Sequence, residues 1–85
     1  MSEISIKTSE ITLQIIKDNL PDNLNIKIDD KLQDLNINSI TFIQIIVSLE
    51  NEFDFEFEDE KLLFKEFPTV KSMVDYVISR TNVEN

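Results

Sequence analysis

The stretch that decides the fold of this 85-residue chain is residues 35–53, which read LNINSITFIQIIVSLENEF. At 100° per residue, five of its apolar side chains fall within about 100° of arc and form one core stripe. They are Phe42, Ile45, Ile46, Leu49 and Phe53. Asn38 comes just before this pattern and is a strong N-cap residue. The stretch therefore predicts an amphipathic helix that begins at Ser39 and runs to about Phe53.

The same helix carries more apolar surface than a single core stripe requires. Ile40, Ile43 and Val47 form an outer stripe, roughly 100–160° round the axis from the core stripe. One interpretation is that the helix is central and buries both stripes. The other is that the outer stripe stays exposed and binds partner proteins, which could contribute about 1.5–3 kcal/mol for each fully buried side chain. We favour the exposed outer stripe.

Helical patterns flank this segment on both sides. The first helix starts between Ser2 and Ser9 and ends before Pro21, because a residue that precedes proline avoids the helical region. Its two apolar faces are Ile4, Ile11 and Ile15, and Ile6, Leu13, Ile16 and Leu20. The last helix follows Pro68, with Thr69 as its N-cap. Its core-facing stripe is Val70, Met73, Val74, Val77 and Ile78.

Two connections join these helices. We expect residues 21–38 to pack across the core through spaced apolar side chains, which are Leu24, Ile26, Ile28, Leu32, Leu35 and Ile37. Residues 54–58 are interpreted as extended, with Phe53, Phe55 and Phe57 turned inward, and residues 59–64 could form one or two helical turns. The predicted fold class is all-α: a small helical bundle of three main helices plus one short helix, in a single domain of residues 1–85.

Composition excludes several classes of function. The chain has no cysteine and no histidine, so disulfides, thiolate metal sites and the usual zinc ligands and general base are excluded. A net charge of −9 opposes binding to nucleic acid or to an anionic membrane, and it favours a monomer. No apolar run approaches a membrane span and no signal-peptide pattern is seen, so we expect a cytoplasmic protein. A domain this small leaves no room for a deep enzyme cleft.

Glycine is also absent, so helix ends and turns must use asparagine, aspartate and proline instead. At the turn just before the central helix this residue is Asn36, and asparagine tolerates the left-handed conformation better than most residues.

Ser39 is the residue with the most informative chemistry. A hydroxyl in the first turn of a helix lies beside free amides and the positive end of the helix dipole, where a phosphate ester would be stabilised. Ser39 cannot be a hydrolytic nucleophile by itself, because the chain has no histidine base and no glycine elbow. It would have to be modified by a second protein that brings the base.

Three segments carry a resemblance to a known family. Residues 35–40 read LNINSI, residues 49–53 read LENEF, and residues 67–70 read FPTV. In order and spacing, these segments resemble the acyl and peptidyl carrier proteins, and the resemblance covers about Thr8 to Arg80. The family pattern has aspartate where Asn38 stands and glycine where Asn36 stands. Asparagine keeps the capping role and tolerates the left-handed conformation, but it lacks the negative charge.

The resemblance implies a specific role for Ser39. A phosphopantetheinyl transferase would attach 4′-phosphopantetheine from coenzyme A to Ser39, with Asn38 as the helix cap beside the site, and the thiol of the arm would hold an acyl or aminoacyl group as a thioester. The chain itself would not be an enzyme. Its partners would be the transferase, a loading ligase or adenylating enzyme, and condensing or releasing enzymes.

The pathway is predicted from three positions. Thr41, Phe42 and Gln44 are more similar to carriers of polyketide or nonribosomal peptide biosynthesis than to fatty acid carriers. The alternatives are a carrier of fatty acid synthesis or of D-alanine transfer, or an unmodified helical interaction module. The short flanks, residues 1–7 and 82–85, favour a free-standing carrier.

Seven acids and no base lie between Glu50 and Glu60. They form either a solvated surface or an electrostatic docking face for basic enzymes. We expect Glu50, beside the outer stripe, to join Ile40, Ile43 and Val47 in partner binding, and its charge reversal to slow association more than it lowers stability. A calcium loop starting at Asp54 is excluded, because positions six and twelve are Asp59 and Lys65 instead of glycine and glutamate, so no metal site is predicted.

Overall fold

A computed structural model of the chain describes residues 3–20, 26–35 and 37–81, with side chains from Ile6 onward. It contains three α-helices: α1 (Glu3–Asp18), α2 (Ser39–Phe53) and α3 (Val70–Thr81). Three short 3-10 turns occupy Leu32–Leu35, Asp59–Lys61 and Phe64–Glu66. Within the described ranges there is no strand, only an isolated antiparallel bridge between Lys31 and Thr69. None of the described helices is long and apolar enough to cross a membrane.

The predicted all-α bundle of three main helices is confirmed, and the predicted short helix takes a different form. Residues 59–66 form two separate 3-10 turns instead of one short helix. The backbone of Leu63 is extended, with φ −111° and ψ 133°, and this interrupts the helical path between the two turns. The turn at Leu32–Leu35 was not predicted.

The core lies between the three helices, with α1 packed against α3 and, less extensively, against α2. Of the predicted core stripe of α2, Phe42, Ile45, Ile46 and Leu49 are buried and Phe53 is half-buried. In α3, Val70, Met73, Val74 and Val77 are buried and Ile78 is half-buried. The periodicity therefore located the core faces of both helices correctly.

The core face of α1 differs from its prediction. Thr8, Thr12, Ile16 and, just beyond the helix, Leu20 are buried, whereas Ile6 is exposed. The Thr12 hydroxyl donates to the carbonyl of Thr8 at 2.8 Å. This bond satisfies the buried hydroxyl one turn back along the helix, so a polar residue occupies a core position without an unpaired group. The predicted side chain of Ile4 lies outside the described side chains.

Backbone hydrogen bonds hold the long connection against the start of α3. The amide of Val70 donates to the carbonyl of Asp30 at 2.9 Å, and that of Lys71 donates to Ile28 at 2.7 Å. The apolar anchors Ile26, Leu32, Leu35 and Ile37 are buried, as predicted. Ile28 is exposed instead, because it lies in a turn and contributes its carbonyl to α3. Leu24 and Asn36 lie outside the described residues.

The second connection brings aromatic rings together beside α2 and α3. Phe57 is buried, with ring centroids 5.0 Å from Tyr76 and 5.9 Å from Phe67, while Phe53 and Phe55 are half-buried. The expected inward turn of alternating phenylalanines is thus confirmed, most fully at Phe57.

Asp54 ends α2 in the conformation usually taken by glycine. Its φ and ψ are both 54°, and its amide donates to the carbonyl of Glu50. Aspartate tolerates this left-handed region better than most residues. The expectation that aspartate would replace glycine at a helix end is confirmed here.

Candidate functional site at the start of α2

The first turn of α2 is organised by Asn38. Its backbone is extended, with φ −87° and ψ 175°, and its side-chain Oδ1 accepts from the amide of Thr41 at 2.8 Å. Its carbonyl accepts from the amide of Phe42 at 2.9 Å. The predicted N-cap and the predicted helix start are both confirmed.

Ser39, the first residue of the helix, is exposed. Among the residues that the structure describes, the amides of Ser39 and Ile40 have no hydrogen-bond acceptor. The first turn of α2 also contains no acidic side chain that could occupy this position. The accessible Ser39 thus lies at the positive end of a 15-residue helix, in a turn with two amides that no described residue binds, and this arrangement suits a phosphate ester.

The outer stripe of α2 is exposed. The exposed fractions are 69% for Ile40, 44% for Ile43 and 46% for Val47. The alternative in which α2 buries both stripes is therefore wrong. A shallow surface depression of about 350 Å³ lies beside Ser39 and is lined by Ile40, Ile43 and Gln44 as well. Ser39 thus stands at one end of a continuous apolar surface.

Glu50 has a structural role that the sequence reasoning missed. It is half-buried, and its Oε2 accepts from the amide of Phe57 at 2.9 Å. The bond joins the last turn of α2 to the buried ring of the following connection. Charge reversal at Glu50 would remove this acceptor, so it adds a cost in stability that the sequence did not reveal. That the reversal slows association more than it lowers stability stays a prediction. Periodicity could not have revealed this bond, because it depends on how the chain folds back after Asp54.

The other acids of the run lie mostly in solvent. Glu52, Asp54, Glu56, Asp59 and Glu60 are exposed, and Glu58 pairs with Arg80 at 3.4 Å. Within the described residues, no group of three or more acidic side chains is placed to hold a metal ion.

One exposed apolar segment outside α2 was not predicted. Leu62 and Leu63 have exposed fractions of 37% and 49% and lie between the two 3-10 turns. The adjacent Phe64 ring stacks on Phe42 with centroids 5.3 Å apart, which brings this segment to the first turns of α2. The signal in the sequence was two adjacent leucines in a stretch too short for a core helix.

Comparison with known proteins places the chain in a family. Residues 10–77 match the family described as "Phosphopantetheine attachment site". An acyl carrier protein homolog of Mycoplasma genitalium is 36% identical over 83 residues, covering 92% of this chain and 93% of that protein. An acyl carrier protein of Coprothermobacter proteolyticus is 40% identical over 50 residues, covering 59% of this chain and 58% of that protein. The chain therefore belongs to the phosphopantetheine-binding carrier proteins, which bear a covalent 4′-phosphopantetheine group and are carriers, not enzymes.

Proposed function

We propose that Ser39 is the residue that carries 4′-phosphopantetheine and that the chain tethers acyl intermediates there as thioesters. One observation carries this assignment. Ser39 presents an exposed hydroxyl in a helix turn whose first two amides have no acceptor among the described residues. It also lies within the matched range of residues 10–77.

The residues around Ser39 fit the group. The amides of Ser39 and Ile40 would hold the phosphate charge, and the Asn38 cap keeps this turn helical by accepting from the amide of Thr41 instead of from those two. When bound, the group supplies a thiol that the cysteine-free chain lacks. The Ser39 oxygen would displace adenosine 3′,5′-bisphosphate from coenzyme A, and the Ser39 proton would pass to a base on the transferase, because the chain contains no histidine.

The test is intact-mass spectrometry after incubation with coenzyme A, magnesium and a broad-specificity phosphopantetheinyl transferase. The wild type should gain one phosphopantetheine and Ser39→Ala should gain none. Ser72→Ala is the matched control, because Ser72 lies in the first turn of α3, and it should be modified like the wild type. Modification of Ser39→Ala would contradict the assignment.

The wild type would also stay unmodified in this assay if it required a dedicated transferase. Such a requirement could arise because Asn38 lacks the charge of the family's aspartate. The Asn38→Asp variant distinguishes a restricted transferase from the absence of a modification site. Modification of Asn38→Asp alone would support Ser39 with a restricted transferase. No gain in either protein would favour an unmodified interaction module.

We further propose that the outer stripe, with Glu50 at its far end, binds the partner enzymes. Three branched apolar side chains in a row, all at least 44% exposed, support this surface. Ile43→Glu should slow transfer to Ser39 about tenfold or more, since one lost apolar contact is worth roughly 1.5–3 kcal/mol. Ile6→Glu is the matched control, because Ile6 is 46% exposed on α1, and it should leave the rate unchanged. Equal slowing by both variants would contradict the docking surface.

The cargo proposed is an acyl group. Both relatives are named acyl carrier proteins, which favours an acyl over an aminoacyl thioester. Acyl cargo agrees with polyketide synthesis, which Thr41, Phe42 and Gln44 favour, and equally with fatty acid synthesis. Mass analysis of the protein purified from its own cells should give an acyl increment that hydroxylamine removes. An amino acid increment would favour nonribosomal peptide synthesis or D-alanine transfer.

A further inference from the structure

The stretch between the two 3-10 turns of residues 59–66 exposes apolar surface outside α2. Leu62 and Leu63 belong to neither turn and are 37% and 49% exposed. The extended backbone of Leu63 keeps the two turns apart, so the leucines do not lie on one helix that could turn them towards the core. Large apolar side chains that stay exposed side by side are typical of an interaction surface.

An ion pair closes this stretch into a loop, which we call the leucine loop (residues 61–66). The Nζ of Lys61 lies 3.3 Å from the Oε1 of Glu66, and both side chains are half-buried. Inside the loop, the ring of Phe64 stacks on Phe42 with centroids 5.3 Å apart. The loop is therefore tied at its ends and anchored in its middle. A surface fixed in this way loses little conformational entropy when a partner binds.

The same ion pair decides the charge that the leucine loop presents. Residues 61–66 contain two lysines and one glutamate, a net charge of +1, in a chain whose net charge is −9. Lys61 and Glu66 neutralise each other, so the remaining charge is that of Lys65. Lys65 is exposed and makes no salt bridge within the described residues. The loop thus combines two exposed leucines with one cation.

A second lysine shares a depression with Lys65. Lys31 and Lys65 both line this depression, which has a volume of about 390 Å³ and no acidic side chain in its lining. The backbone bridge to Thr69 fixes the position of Lys31, which makes no salt bridge within the described ranges. Asp59 and Glu60 are exposed just before the leucine loop, but they do not line the depression. The depression is therefore a locally positive region.

The leucines and the lysines form one surface. Leu63 precedes Phe64, which also lines the depression, and consecutive Cα atoms are about 3.8 Å apart. We call this the leucine–lysine surface, and it consists of Lys31, Leu62, Leu63 and Lys65. It is apolar and positive, whereas the outer stripe of α2 leads into an acidic run.

The charge of the surface selects the kind of partner. A basic segment is attracted to the acidic run and repelled by Lys31 and Lys65. An acidic segment is repelled by most of a chain of net charge −9, so its favourable contacts lie at the leucine–lysine surface. A second copy of this chain also carries acids, but two copies of −9 each repel one another.

We propose that the leucine–lysine surface binds an acidic amphipathic segment of a partner protein. Apolar side chains of that segment contact Leu62 and Leu63, and its carboxylates contact Lys31 and Lys65. The surface contains neither Ser39 nor any residue of the outer stripe. The inference therefore goes beyond the proposed function and does not depend on modification of Ser39.

The test is an NMR titration with three synthetic peptides of equal length, built from repeats of Glu–Leu–Leu, Lys–Leu–Leu and Glu–Ser–Ser. The Glu–Leu–Leu peptide should shift the amides of Lys31, Leu63 and Lys65 and bind them about tenfold more tightly than the Glu–Ser–Ser peptide, which lacks the apolar contacts. The Lys–Leu–Leu peptide should instead shift amides of the acidic run, such as that of Glu56. Shifts at the leucine–lysine surface that are equal for the Glu–Leu–Leu and Lys–Leu–Leu peptides would overturn the proposal.

Paired variants assign the binding to the named side chains. Leu63→Ser with Lys65→Gln should weaken binding of the Glu–Leu–Leu peptide about tenfold, through one apolar contact and one exposed ion pair. Ile6→Ser with Lys7→Gln is the matched control, because Ile6 and Lys7 are an exposed apolar residue and an exposed lysine side by side on α1. The control should retain the wild-type affinity. Unfolding curves verify that both variants fold, and equal affinities in the two variants would contradict the surface.

Two further measurements separate the other outcomes. The Ser39→Ala protein should bind the Glu–Leu–Leu peptide like the wild type, so a failed mass assay overturns the attachment at Ser39 and leaves this inference standing. Sedimentation of the wild type without peptide should show a monomer. A dimer that dissociates in Leu63→Ser with Lys65→Gln would mean that a second copy occupies the surface, and it would overturn the acidic partner.

Discussion

The first turns of α2 and α3 have the same capping chemistry but leave different groups open to solvent. Each is preceded by a residue whose side-chain oxygen accepts an amide, Asn38 for Thr41 and Thr69 for Ser72. In α3 the next two amides are also taken, by carbonyls of the long connection. In α2, within the described part of the chain, the amides of Ser39 and Ile40 have no acceptor.

The comparison shows that a capped helix start can bind a ligand only where the rest of the fold does not cover its first turn. The connection that closes α3 makes its start part of the core, and Val70 there is completely buried. No connection among the described residues binds the first amides of α2, and Ile40 there is 69% exposed. A capping motif in a sequence therefore does not by itself distinguish a structural helix start from a functional one.

The largest expected effect comes from truncating a buried side chain at the start of α3. Phe67, just before α3, is 2% exposed, so Phe67→Ala should lower the free energy of unfolding by about 3–5 kcal/mol. Ile40→Ala, in the first turn of α2, should change the free energy of unfolding by less than about 0.5 kcal/mol. Urea unfolding of both variants measures the contrast. A similar loss for both would mean that the start of α2 is also structural.

The next effect concerns the last turn of α2, where Glu50 binds the connection that follows the helix. Glu50→Lys removes the acceptor for the Phe57 amide and should cost about 1–3 kcal/mol. Glu50→Gln retains an acceptor oxygen and should cost less. Glu52→Lys, on an exposed neighbour, is the charge-matched control and should have little effect. Equal stabilities for Glu50→Lys and Glu52→Lys would show that the bond contributes nothing.

Removing the two caps should have similar costs for stability but different consequences for modification. Thr69→Ala and Asn38→Ala should each cost about 1 kcal/mol, the typical loss of an N-cap. Only Asn38→Ala should also slow phosphopantetheine transfer, because it loosens the turn that holds Ser39. Thermal unfolding and a transferase assay together test this. Slowed transfer in Thr69→Ala would indicate that the two helix starts are coupled.

The smallest effect is a gain in stability. Asn38→Asp keeps the capping oxygen and places a negative charge at the positive end of α2, which should stabilise the protein by about 0.3–1 kcal/mol. The gain should decrease as salt is added. A loss of stability would indicate that another charge already dominates this turn.

The local features of the fold were predictable from the sequence. The bounds of α2 follow from the Asn38 cap and the core stripe, and the start and core face of α3 follow from Thr69 and its stripe. These signals depend on residues three or four positions apart, which contact each other within one helix. The two threonines on the core face of α1 escaped prediction, because polarity hid their burial until the carbonyl partner of Thr12 was known.

The sequence by itself determined the three helices, the position of the outer stripe and the motif around Ser39, because each follows from periodicity and capping within a single segment. The tertiary structure decided that the outer stripe stays exposed, which helix start keeps its amides open and which amide Glu50 binds. Those features join residues far apart in the chain, such as Lys31 with Thr69 and Phe42 with Phe64. No local pattern specifies such pairs, because they depend on how the connections cross the core.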